Sequence, residues 1–80
     1  MHEASVAKAI LDTALKFAPK ESKKISTINV VTGAMSALSK DSLELYFNEL
    51  SRGTKAYRAT INIEVIPVSK TYIKDIEVEE

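Results

Sequence analysis

Ala59-Thr60-Ile61-Asn62-Ile63-Glu64-Val65 alternates apolar and polar residues without a break. Ala59, Ile61, Ile63 and Val65 point one way, and Thr60, Asn62 and Glu64 point the other. Such period-two alternation is a strand with one dry face and one wet face. A wet face leaves no room for a helix on that side, so any helices must lie together on the dry side. Pro67 ends the run, Val68 to Thr71 is a short connection, and a second run follows from Tyr72 to Glu79. There Ile76 and Val78 share one face, and Glu77 and Glu79 the other. The short connection predicts that these two strands form a hairpin.

Upstream of the alternating strand lies a helix, predicted from about Asp41 to Arg52. Leu43, Tyr46, Phe47 and Leu50 make its apolar stripe. Asp41 and Glu44 have capping-box spacing, and Gly53 is a good closing residue at the C-terminal end. Ala34 to Lys40 connects this helix to a β-branched strand, Ile25 to Thr32, with Ile28 and Val30 on one face and Gly33 at its end. Lys20 to Lys24 is a polar link that reads as a solvated loop. Before it, Ala7, Ile10, Leu11, Ala14, Phe17 and Ala18 repeat at helical period, giving a helix from Ala4 to Ala18 that Pro19 stops. The predicted order is α-β-α-β-β. The fold class is α+β: a two-layer α/β sandwich with two helices on one face of a three-stranded mixed sheet. The strand-helix-strand step is a right-handed crossover.

The chain opens Met1-His2-Glu3, and His2 is its only histidine. The Met1 α-amine, the backbone nitrogens of His2 and Glu3 and the His2 imidazole can chelate one metal in fused rings. Flat nitrogen ligation suits Ni(II) or Cu(II) better than Mg(II) or Ca(II). Glu3 adds an oxygen or a second amide. The plain reading is a frayed terminus or a tag remnant. A helix beginning near residue 3 holds these residues at its N-terminal mouth, where the dipole favours the Glu3 carboxylate and repels a bare cation.

The 80 residues are enough for one domain with a modest core. A net charge of zero argues against general affinity for nucleic acid or anionic membrane. No apolar run is long enough to span a bilayer, and no signal-peptide pattern is present, so cytoplasm is the expected compartment. The cysteine count of zero removes disulfides, thiol catalysis and cysteine-held zinc. The two glycines, Gly33 and Gly53, are too far apart for a phosphate loop. Glu77, Glu79 and Glu80 read as a solvated face, and Lys55, Tyr57 and Arg58 as a plain surface loop. Nothing pairs an acid with a base for catalysis, so an enzyme is not expected.

Taken in order, these landmarks resemble the HypA family, the nickel-delivery chaperones of nickel–iron hydrogenase maturation. The similarity is carried by Met1-His2-Glu3-Ala4-Ser5-Val6-Ala7 with Ile10, and by the strand ending at Gly33. It continues in Asp41-Ser42-Leu43, in Tyr46-Phe47-Asn48-Glu49-Leu50 and in Arg52-Gly53-Thr54. Ile61-Asn62-Ile63-Glu64 to Pro67 and Ile76-Glu77-Val78-Glu79 complete it. The resemblance implies a nickel site at Met1, His2 and Glu3, with His2 as the side chain carried over, and docking to a HypB-type GTPase maturation factor. It also exposes a departure. The family carries a zinc module with two Cys-x-x-Cys pairs where this chain has only Val68-Ser69-Lys70-Thr71. Zinc is therefore not expected. The reading is a single nickel-binding-type domain over residues 1–80, a metallochaperone-like accessory protein, monomeric or a weak homodimer. Its alternative is a HypA-like protein-interaction domain without metal delivery.

Overall fold

The computed structural model describes residues 3–33 and 39–79. Its elements are α1 (Glu3–Phe17), β1 (Lys24–Gly33), α2 (Lys40–Leu50), β2 (Thr60–Ile66) and β3 (Tyr72–Glu79). The α-β-α-β-β order and the mixed sheet agree with the expectation from periodicity.

The strand order is β2-β1-β3, with β2 parallel and β3 antiparallel to β1. The expected hairpin between the last two strands does not form, because β1 lies between them. Two physical facts favour this order. The most apolar strand takes the centre: Ile25, Ile28, Val30 and Val31 of β1 are all buried. Burying one such side chain stabilises by about 1.5–3 kcal/mol. The connection is also long enough. Residues 67–71 separate β2 from β3; five extended residues reach about 17 Å, while passing over one strand to its far neighbour takes about 9.6 Å. The arch crosses β1 at Gly33, where a Cβ would lie 2.0 Å from the Val68 carbonyl oxygen. Gly33 thus does more than end a strand: it leaves space for the returning chain. Thr32 and Thr71 hydroxyls, 2.7 Å apart, fasten the arch beside it.

The register lines up the dry face. Ile28 sits between Ile61 and Ile76, and Val30 between Ile63 and Ile73. Ala7, Ile10, Leu11 and Ala14 of α1 and Leu43 and Phe47 of α2 join this layer in one core. Both helices therefore cover the same face. The stripes are narrower than periodicity predicts. Phe17 is 61% exposed and Tyr46 and Leu50 remain exposed, because they lie at a stripe's end or its margin. Val65 is also exposed, so the helical layer stops short of that end of β2.

Helix termini differ in detail. Ser39, not Asp41, caps α2: its hydroxyl accepts the Ser42 N–H at 3.3 Å. Asp41 instead sits in the first turn, where negative charge suits the dipole. The helix ends at Leu50, and Gly53 takes the left-handed conformation two residues beyond the Ser51 cap, with φ 85°.

Candidate functional site

The N-terminal corner is the meeting point of two helix starts. Met1 and His2 lie outside the described residues, so of the three predicted site residues the structure places only Glu3. Glu3 is the first residue of α1 and is 8% exposed. Its Oε2 accepts the backbone N–H of Ser39 at 3.4 Å. Because Ser39 caps α2, one carboxylate touches the positive dipole ends of both helices.

This environment holds the Glu3 carboxyl below the usual carboxylate range. The main cause is a hydrogen bond with the chain's terminal amine; its own backbone N–H comes next, burial opposes, and the Ser39 N–H adds a smaller share. At neutral pH the group is an anion with partners. Two dipole ends disfavour a bare cation in this corner, and they favour anionic groups. The same field eases loss of a proton from a backbone amide, which is what a nitrogen-ligated metal requires.

Other residues singled out in the sequence do not converge. Among the described residues, no three histidine, cysteine or acidic side chains could hold a metal together. Glu77 and Glu79 are exposed on the sheet face, apart from the N-terminal corner. Tyr57 and Arg58 stack at 5.4 Å. Lys55, read as ordinary surface, is a pin: its ammonium donates to the Pro19 carbonyl at 3.1 Å, the Ser22 hydroxyl at 3.2 Å and the Lys20 carbonyl at 3.5 Å. Sequence reasoning missed Lys55 and Ser39 for different reasons. Ser39 carried a usable signal, since serine is a preferred N-cap, but Asp41 competed for the role. Lys55 carried none, because its acceptors lie more than thirty residues away in the chain.

Residues 1–71, which contain the corner and both helices, match the family described as "Hydrogenase/urease nickel incorporation, metallochaperone, hypA". The chain belongs to the HypA family. It is 35% identical over 69 residues to the hydrogenase maturation factor HypA of Methanothermobacter thermautotrophicus, covering 85% of this chain and 57% of that protein. Against the HypA of Archaeoglobus fulgidus it is 35% identical over 66 residues, covering 81% and 60%. Against that of Dehalococcoides mccartyi the figures are 35% over 68 residues, 84% and 57%. This HypA-family chain thus spans somewhat over half the length of the curated relatives it matches. No helix among the described residues is long and apolar enough to cross a membrane.

Proposed function

We propose that this chain is a nickel-binding, metallochaperone-like accessory protein for hydrogenase maturation, and that it takes Ni(II) as cargo at Met1, His2 and Glu3. The observation that carries the reading is the anchoring of Glu3. With residue 3 fixed at the junction of two helices, the Met1 amine, the His2 amide and the His2 imidazole form a short chelating arm with a rigid base. Glu3 contributes its amide or its carboxylate. The Ser39 N–H keeps the Glu3 carboxylate oriented beside that arm. The cytoplasm is the compartment in which such a carrier would work, with a HypB-type GTPase as its docking partner. The missing length relative to the curated relatives is assigned to residues 68–71, where a zinc module would otherwise stand. On this reading zinc plays no part in the fold, and the protein is not an enzyme.

The test is nickel titration of protein that starts at Met1. One equivalent should bind, and His2→Ala should abolish that binding while leaving the melting temperature of the metal-free protein unchanged. Affinity should climb between about pH 6 and pH 8, as imidazole and amine lose their protons. Equal binding by His2→Ala would dispose of the terminal site and leave the interaction-domain reading in its place.

A further inference from the structure

The sheet has two open edges, and they are chemically different. β3 pairs with β1 alone, so one row of its backbone donors and acceptors faces no strand among the described residues. Ile73, Ile76 and Val78 turn toward the core and are only partly buried. Asp75, Glu77 and Glu79 turn to the opposite face and are exposed. Asn29, on the same face of β1, donates to Asp75 at 2.5 Å, which fixes the orientation of this row. The one cation within β3, Lys74, reaches back across the sheet toward Glu64 at 3.9 Å. Lys24, opposite Glu79, lies on the paired side of the strand. The Asp75 carboxylate is thus held toward β1, and Glu77 and Glu79 are the acidic pair that the open edge presents. Beneath it, between α1 and β3, runs an apolar groove of about 360 Å³ lined by Val6, Ile10, Phe17, Tyr72 and Ile73. Phe17, 61% exposed, leaves large apolar surface uncovered there, while the Lys70 ammonium lies 5.6 Å from the centre of the Tyr72 ring at the groove's end.

We propose that β3 is a docking edge for an extended segment of a partner protein in which basic and apolar residues alternate. The segment adds a fourth strand through main-chain hydrogen bonds. Its lysines or arginines lie beside Glu77 and Glu79, and its apolar residues enter the groove along α1. Charge complementarity selects this occupant over a second copy of the chain. In an antiparallel pairing of two β3 strands, wet face meets wet face, so the carboxylates of one copy stand against those of the other, which destabilises the pair. A β2 edge offers Thr60, Asn62 and Glu64, with no cation to answer the acidic pair. Open edges that carry like charge resist self-association in this way. This inference does not depend on nickel binding.

The probe is a synthetic peptide of alternating lysine and valine, as long as β3. It should bind the chain one to one and slow amide hydrogen exchange across Tyr72–Glu79 and not across Thr60–Ile66. A scrambled peptide of the same composition should bind far more weakly. The neutral variant E77Q/E79Q should lose part of the affinity, and E77K/E79K about tenfold or more. E77K/E79K should instead take up an alternating glutamate–valine peptide, which shows that the edge is still folded and only its charge has changed. Equal affinity across the three forms of the chain overturns the proposal, as do equal binding of the scrambled peptide, protection on β2, or no binding. A peptide-free dimer with protected β3 amides overturns it in favour of self-pairing.

Discussion

Two charged side chains of opposite sign pin the helical layer at its opposite ends. Glu3 lies where α1 and α2 begin, against the Ser39 N–H. Lys55 lies just past the end of α1, against the Pro19 and Lys20 carbonyls. Each charge is the one the helix dipole favours at that end. The difference lies in their partners. Lys55 meets backbone and hydroxyl oxygens, and its own carbonyl accepts the Ile25 N–H at 2.8 Å, which stitches the loop after α2 to the start of β1. Nothing in that corner is easily given up. Glu3 meets a backbone N–H at 3.4 Å, in the corner to which the proposed metal ligands belong. One end of the molecule is a closed joint. The other, on the reading proposed above, is an exchangeable one.

The largest expected effect tests how rigid the frame of the exchangeable end is. Gly33→Ala puts a methyl group against the Val68 carbonyl, a backbone atom that no side-chain rotation can move. The arch must shift or β1 must shorten, and stability should fall by about 2–3 kcal/mol in urea unfolding. A loss under half a kcal/mol would mean that the arch is soft and that the corner next to it is loosely built.

That prediction also marks where the sequence stops being informative. Alternation in Ala59–Val65 and in Tyr72–Glu79 shows which face of each strand is dry, and the structure agrees except at Val65, which is exposed beyond the end of the helical layer. It does not show which strand is the neighbour, because either order buries the same residues. The deciding contact, Gly33 against Val68, joins positions 35 residues apart and leaves no local trace. The same holds for Lys55 and its acceptors. Met1-His2-Glu3 stand out in the sequence as the proposed metal ligands by their chemistry, but the attachment of the Glu3 carboxylate to the α2 cap is not legible, since Ser39 is 36 residues downstream.

Next in size is the closed joint. Lys55→Met keeps the aliphatic stem and removes the donor to Pro19, Lys20 and Ser22. The Ser22 hydroxyl keeps its own bond to the Pro19 carbonyl at 2.6 Å, so no buried group is stranded. The cost should be about 1 kcal/mol, in the ordinary range for one hydrogen-bonded group. Nickel affinity should not change. A drop in nickel affinity would mean that the two ends are coupled and that the contrast between them is false.

Glu3→Gln breaks the other joint, and its effect should be smaller because the Ser39 contact is long at 3.4 Å. Its signature is the pH dependence. The folded-state value lies below the ordinary one, so the wild-type carboxylate adds stability above its unfolded value of about 4.3. That contribution is lost as pH falls through the folded value. The stability gap between wild type and Glu3→Gln should therefore hold steady above about pH 5 and close in acid. A gap that persists at low pH would show that the carboxylate charge is not what holds the corner.

The smallest effect should have the opposite sign and belongs to the closed end. Arg58 has φ 65°, a left-handed conformation that costs a side-chain-bearing residue about 1–2 kcal/mol. Gly53, five positions earlier, takes φ 85° without that penalty. Arg58→Gly removes the local strain but raises the entropy of the unfolded chain and gives up the stacking on Tyr57. These nearly cancel, so the net gain should be a few tenths of a kcal/mol. The melting temperature should rise by a degree or two, since 1 kcal/mol moves a domain of this size by about 4–8 °C. A clear loss of stability would mean that the Arg58 side chain itself holds the loop, which would make the closed end depend on two cations instead of on Lys55 alone.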